Sequence, residues 1–322
     1  MMKAERGLIA VIGAGPAGAM AAYLLAAKGK AVLMLDDDRP SPDRVEMLPP
    51  RASMAFRACG LGSVLDDPII AVPCLGIIRQ GAVEDRHDFI SQPGGHGFAV
   101  HRHSFDAAIR TAAIASGACH LRGRLVAIED DCDDLFTLRI AATDRPTRVG
   151  AQTIIDASGR AASAARRLGA KVTTLERLLA ERFIHDEAPD PWLHFMGDTE
   201  GWRYTMTGPQ GRRDAWRIAA PLRGQVRVDM VDASARWLTP TAGHRWIAIG
   251  DAACAFDPIC CQGLAHATSS ALAAAGMIVQ GGTVLESAAY AYDVACRETA
   301  ARTEIERRVV YAYMRRDREA TV

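Results

Sequence analysis

Residues 7–36 read Gly-Leu-Ile-Ala-Val-Ile-Gly-Ala-Gly-Pro-Ala-Gly-Ala-Met-Ala-Ala-Tyr-Leu-Leu-Ala-Ala-Lys-Gly-Lys-Ala-Val-Leu-Met-Leu-Asp. The apolar run at 7–12 suits a strand buried on both faces. Gly13 to Gly18 form a tight turn, and Pro16 is tolerated in the first turn of a helix. The helix runs from Ala17 to Lys28, and Gly29 stops it. A second apolar run at 31–35 is the next strand, which completes one βαβ unit. The spacing Gly13-x-Gly15-x-x-Gly18 has a physical reason. Gly13 makes the turn, Gly15 lets the backbone approach a diphosphate, and Gly18 lets the helix lie close on the strand. The first helical turn, opened by Pro16 and carrying the free N–H of Ala17, faces that diphosphate. Asp36 ends the second strand at the distance expected of a carboxylate on an adenosine ribose. The class is therefore α/β, with a dinucleotide site. A nicotinamide and a flavin remain equally open from this stretch alone.

Working outward, residues 39–50 are rich in proline and charge and read as a loop. Residues 51–59 read as a helix ending at Gly60. Residues 68–98 read as irregular strands around Pro73, Pro93 and the turn Gly94-Gly95-His96-Gly97. Ser104 is a good N-cap for a helix through Ser116. Strands follow at 119–121 and 124–129, then a polar hairpin, then a buried strand at 152–156. The character changes at 171–240, where four of the five tryptophans (Trp192, Trp202, Trp216, Trp237) fall among short alternating strands. This predicts an antiparallel sheet forming a second domain. An apolar strand returns at 245–249, followed by a helix from about Gln262. Residues 286–316 are helical. The expected division is 1–67, 98–170 and 241–285 for a discontinuous dinucleotide domain. Residues 68–97 and 171–240 form the substrate domain, and 286–322 a C-terminal helical segment.

The chain has 322 residues, with 38 basic and 38 acidic side chains, so a charge-driven nucleic-acid binder is excluded as a class. Its length is ample for a core without disulfide or metal staples. Eight cysteines occur without a C-x-x-C pair, which predicts reduced thiols in a cytoplasmic protein and no metal site. The apolar run at 8–27 is broken by glycines and Pro16, so it reads as strand, turn and helix rather than a signal peptide. No stretch has the ~18 apolar residues of a membrane span. Only four residues are lysine, at positions 3, 28, 30 and 171.

A second motif resolves the cofactor. Residues 245–263 read Arg-Trp-Ile-Ala-Ile-Gly-Asp-Ala-Ala-Cys-Ala-Phe-Asp-Pro-Ile-Cys-Cys-Gln-Gly. This resembles the Gly-Asp motif of FAD-dependent aromatic hydroxylases, flavin halogenases and related reductases. The resemblance implies a Rossmann-like FAD domain with an inserted antiparallel substrate domain and a C-terminal helix. It implies that Gly250 and Asp251 serve the ribityl chain and that Pro258 lies beside the isoalloxazine. Gln262 and Gly263 then open a helix aimed at the flavin N1–C2=O edge, where a helix dipole suits negative charge. Asp156-Ala-Ser-Gly159 resembles the internal Asp-Ala-x-Gly segment of the same superfamily. Val45-Glu46-Met47-Leu48-Pro49-Pro50 is similar to its Gly-Glu-x-Leu-Pro-Pro loop, and Arg102-x-x-Phe105-Asp106 to its flavin-side arginine. Arg44 and Val126 are further flavin contacts implied by the resemblance. Glu46 and Arg102 also read as a plain surface ion pair. Gly201-Trp202-Arg203-Tyr204 resembles a strand of tryptophan-halogenase-like proteins, including those that hydroxylate peptidyl tryptophan in quinone-cofactor maturation. Trp202 and Tyr204 share one strand face, as a substrate platform or as core packing.

Departures from the family narrow the chemistry. The halogenase lysine is missing, because no lysine lies between Lys30 and Lys171. The halogenase Trp-x-Trp-x-Ile-Pro signature is missing too. Cys260 and Cys261 stand near the expected flavin. A helix N-terminus there would depress a thiol pKa, and the competing reading is a small filler. No second Gly-x-Gly-x-x-Gly occurs in strand–helix context, so electrons come from transiently bound NAD(P)H or a separate flavin reductase. The resemblance implies a monooxygenase acting through a C4a-hydroperoxyflavin on an electron-rich, aromatic substrate, whether small, carrier-bound or protein. Glu46, His101, His103 and Cys261 are the candidate catalytic residues. The alternatives are a geranylgeranyl-reductase-like reductase or dehydrogenase, and an FAD-binding maturation partner with little small-molecule turnover.

Overall fold

The computed structural model describes residues 7–37, 42–80, 84–131, 135–142, 146–182, 188–197, 201–220 and 230–315. The glycine turn sits at the middle of an eight-stranded sheet. Its order is Pro146–Ala151, Leu135–Ala142, Cys119–Asp131, Val32–Asp36, Ile9–Ile12, Thr153–Asp156, Trp246–Ala248 and Ala242–Gly243. The central strands are parallel, with Ile9 beside both Val32 and Thr153, and Asp156 beside Ala248. Their near-continuous apolar character follows from burial on both faces: Ala10, Val11, Met34, Ile154, Ile155 and Ile247 are all buried. This order explains why motifs far apart in sequence converge. The strand ends at Ile12, Asp36, Asp156 and Ala248 lie side by side, and ligands bind at such carboxyl ends.

One face of the sheet is covered by the helices Pro16–Ala26, Arg102–Ala115 and Gly263–Gly281, which share a core with Phe56, Phe105 and Ile109. Small residues let the first and last of these pack tightly. Ala19, Ala21, Ala22, Ala271 and Ala274 are fully buried.

A seven-stranded sheet forms the second layer. It runs Met230–Asp232, Leu179–Arg182, Arg213–Ala219, Gly201–Thr207, Trp192–Gly197, Gly76–Gln80 and Asp85–Asp88. It is antiparallel except where Trp192–Met196 runs parallel to Gly76–Gln80. Two three-stranded sheets join the layers. One pairs Val45–Leu48 and Ala71–Cys74 with Gly97–His101. The other pairs Lys171–Thr174 with Arg236–Thr239, which pairs in turn with Cys254–Ala255. The ends of the 68–97 and 171–240 segments therefore bond outside the larger antiparallel sheet.

Several local expectations change. The 39–50 loop contains the strand Val45–Leu48, because Gly97–His101 offers it a full ladder. Residues 39–41 of that span lie outside the described residues, as does Cys132. The next helix starts at Arg102 with His101 as its N-cap, so Ser104 lies inside it. The strands at 119–121 and 124–129 are one strand, Cys119–Asp131, with an irregularity between Leu125 and Ala127. The last helix, Glu286–Arg315, spans 30 residues. Among the described residues no helix is long and apolar enough to cross a membrane.

Candidate active site

A cavity of about 640 Å³ runs from the glycine turn, past the ends of the parallel strands, to the seven-stranded sheet. That is within the usual range for a bound organic molecule. Gly13 has φ +110°, and a Cβ there would lie 2.3 Å from the Ala157 carbonyl oxygen. A Cβ on Gly18 would lie 2.0 Å from the Gly13 carbonyl oxygen, so Gly18 serves packing and does not line the cavity. A Cβ on Gly15 would meet nothing within 4 Å, and Gly15, Pro16 and Ala17 face the open space. Asp36 lines the same end, with Arg110 3.8 Å away.

Asp156 holds the next wall segment. Its carboxylate accepts from Ser158 N at 3.0 Å, Ser158 Oγ at 2.6 Å, Ala164 N at 2.8 Å and Ala165 N at 2.7 Å. Burial raises its pKa, and these donors oppose the rise. They fold residues 158–165 over the strand end and set Gly159 into the cavity wall. Gly250 has φ +56° and abuts Ala17, while its N–H donates to Ser270 Oγ at 2.9 Å. Asp251 opens onto the cavity but is walled by protein. That enclosure raises its pKa against the opposing charge of Arg160. Among the described residues no protein donor hydrogen-bonds the Asp251 carboxyl. Arg160 is fixed by donating to the Ser234 carbonyl at 2.5 Å.

Pro258 and Cys261 line the cavity beyond Asp251, and Gly263 begins a helix there with Gln262 as N-cap. Cys261 has φ +51°. Burial pushes its thiol up to about 12 and raises Cys260 as well. Desolvation thus acts against the depression expected of a thiol near a helix N-terminus.

Glu46, Arg44 and Arg102 form an inward ion cluster. Glu46 Oε1 lies 2.5 Å from Arg44 Nε and 2.8 Å from Arg102 Nη1. Arg102 also grips Asp106 through two hydrogen bonds of 2.9 and 3.0 Å. Burial would raise the Glu46 carboxyl, but Arg102 and Arg44 outweigh it and hold it at about 2. Glu46 is thus ionised at neutral pH, which removes it as a general acid and leaves it only a weak base there. Its place is to orient the two arginines at the cavity wall.

The other candidates separate. His101 pairs with Asp43 at 3.0 Å and Ser104 at 3.1 Å, and His103 is exposed; neither lines the cavity. Val126 is 40% exposed and outside the cavity wall, to which this strand contributes Gly123, Arg124 and Leu125 instead. Tyr204 is in the wall, but Trp202 is buried behind it, packed on Phe195 and Tyr204 and absent from the wall. Sequence reasoning missed Phe195, Trp216 and Arg160. Phe195 pairs across the sheet with Tyr204, and Tyr204 with Trp216, so the three form one row on the cavity. Alternation within each strand hinted at the face, but only the register brings the row together.

A family model described as FAD binding domain matches residues 8–213. The chain belongs to the FAD binding domain family. It is an FAD-dependent oxidoreductase. It is 26% identical over 325 residues to a menaquinone reductase of Mycobacterium tuberculosis, across 84% of this chain and 76% of the relative. Among solved structures it is similar to the flavin-dependent brominase Bmp2, with a TM-score of 0.77 at 18% identity, covering 90% of this chain and 83% of that one. It is also similar to the peptidyl tryptophan dihydroxylase QhpG, with a TM-score of 0.71 at 21% identity, covering 95% and 75%. These likenesses fall where the strand order and the cavity already pointed.

The residues present fit FAD. Gly15 leaves backbone room for the diphosphate beside the first helix N-terminus. Asp36 stands where the adenosine ribose would bind. Among the described residues no protein donor bonds the Asp251 carboxyl, which suits the hydroxyls of a ribityl chain. The N-terminus of the helix Gly263–Gly281 faces the far end of the cavity, where the isoalloxazine would lie.

Proposed function

We propose that this chain is an FAD-dependent monooxygenase that hydroxylates an electron-rich, aromatic substrate. The observation that carries this reading is the row Phe195–Tyr204–Trp216, which continues the cavity wall from Pro258 and Cys261. Aromatic faces favour a planar ring stacked or edge-on against them. Enclosure raises the Tyr204 phenol, so it is a neutral hydrogen-bonding group in that wall. The flavin, when bound, supplies the electron-carrying and oxygen-activating chemistry. The chain's own residues hold it, orient the substrate ring and exclude water.

The lysine gap from Lys30 to Lys171 weighs against halogen transfer. Likeness to a peptidyl tryptophan dihydroxylase supports a carrier-bound or protein substrate beside a small-molecule one. Electrons come from NAD(P)H or a partner reductase, and the setting is cytoplasmic. A second reading, a reductase of quinone-like or unsaturated substrates, is favoured by the similarity to a menaquinone reductase over 84% of the chain. Oxygen uptake separates the two. The FAD-loaded protein is reduced anaerobically, mixed with air, and supplied with electron-rich aromatics or a quinone. Oxygen consumed in step with hydroxylated product supports the first reading. Quinone reduction without oxygen uptake moves the assignment to the second. Failure to bind FAD overturns both.

A further inference from the structure

Trp202 leaves the cavity wall but enters a hydrogen-bonded chain. Its Nε1–H donates to the Tyr311 hydroxyl at 2.9 Å. Tyr311 donates in turn to Asp257 Oδ2 at 2.9 Å. Asp257 Oδ1 accepts from Ile259 N at 3.0 Å, and its carbonyl accepts from Cys260 N at 3.0 Å. The Asp257 side chain is only 1% exposed, yet Asp257 and Pro258 line the cavity. Arg307 lies 3.6 Å from Asp257 Oδ2 and stacks 5.2 Å from the Tyr311 ring centre. Arg307 is itself fixed by Glu304 and Glu176, each at 2.8 Å.

Thr303, Arg307 and Tyr311 recur at one-turn spacing on the helix Glu286–Arg315, so they form one seam. Ile305 and Val309 on the same helix are each 65% exposed, which places them off that seam. Three parts of the fold meet at one hydroxyl: the last helix, the turn beside the flavin site, and the strand that carries Tyr204.

We propose that Tyr311 is a positioning residue for the flavin-facing turn Asp257–Cys261. Its hydroxyl fixes the Asp257 carboxylate, which caps that turn and sets the approach to the helix starting at Gly263. The same hydroxyl ties the turn to Trp202, and so to the substrate face at Tyr204. A buried carboxylate needs donors, and loss of the hydroxyl leaves both Asp257 and the Trp202 N–H short of a partner. This rests on the reading of the cavity as an FAD site.

The test uses the full chain and FAD titration. The parent is measured first, so failure of the parent to bind overturns the FAD reading itself, separately from the role of Tyr311. Tyr311→Phe keeps the ring on Arg307 and removes only the hydroxyl. Its FAD Kd should rise about tenfold, which is about 1.4 kcal/mol. The visible absorption and circular dichroism of bound flavin should shift as well. Val309→Ala should change neither. Because Tyr311 acts through Asp257, adding Tyr311→Phe to Asp257→Asn should weaken FAD less than twofold further. A folded Tyr311→Phe with parental Kd and spectrum overturns the proposal. So does a full, additive loss in the double variant. Hydrogen exchange on the unmodified chain tests it without any variant. FAD should increase amide protection at 303–311, and no change there overturns the proposal.

Discussion

Glu46→Gln tests the ion cluster at the cavity wall most directly. It removes one negative charge and keeps the side chain's shape. In the folded protein Glu46 is held at about 2 against an ordinary 4.5: burial pushes it up, and the Arg102 and Arg44 charges outweigh that. At about 1.4 kcal/mol per pKa unit, that difference bounds the stabilisation at about 3 kcal/mol. The side chain is 21% exposed, so solvent screening brings the expected effect to about 2 kcal/mol. The folded pKa lies below the unfolded one. The contribution is therefore complete above pH 4.5 and is lost as pH falls from there through about 2. Urea unfolding of parent and variant should show a gap of about 2 kcal/mol at neutral pH. That gap should stay level down to about pH 5.5 and narrow steadily below 4.5. A gap under about 0.5 kcal/mol at neutral pH would refute the reasoning. So would a gap that persists undiminished near pH 2.5.

Asp251→Ala should weaken FAD binding at least tenfold with little change in the melting temperature of the FAD-free chain, read by titration and thermal unfolding. Gly250→Ala forces a Cβ to 2.9 Å from Ala17 at φ +56°, so a loss of about 1–3 kcal/mol is expected in urea unfolding. Cys261, raised to about 12 by burial, should react with iodoacetamide far more slowly at pH 8 than a solvent-exposed thiol. Mass mapping of the alkylated peptides checks this, and prompt labelling would contradict it. Trp202→Ala should cost about 3–5 kcal/mol of stability, because the ring is 1% exposed and its N–H is bonded to Tyr311. Tyr204→Phe, by contrast, should change substrate KM and leave the melting temperature within about 2 °C.

The parts legible from sequence were those with local causes. The Gly13, Gly15 and Gly18 turn and the Gly250–Asp251 turn need particular backbone conformations and close approaches, so their residue types announce them. Long apolar runs marked the central parallel strands for the same reason. The failures had non-local causes. Val45–Leu48 looked like loop because its ladder is supplied by Gly97–His101, some fifty residues away. Which residues of Cys119–Asp131 meet the cavity depends on the strands beside it, and Gly123, Arg124 and Leu125 do so in place of Val126.

The sequence by itself determined an α/β nucleotide-binding core, motifs that resemble those of flavoproteins, and an aromatic-rich second layer. Tertiary structure alone decided which aromatics face the cavity. Trp202 and Tyr204 sit on one strand at matched spacing, yet Tyr204 meets the cavity and Trp202 turns to Tyr311. The reason is register and packing. Phe195 and Trp216 flank Tyr204 across the sheet, while the seam of the last helix, through Tyr311, takes up the Trp202 N–H. Spacing along one strand fixes a face, but what covers each end of that face depends on the neighbouring strands at one end and, at the other, on a helix residue 109 positions away.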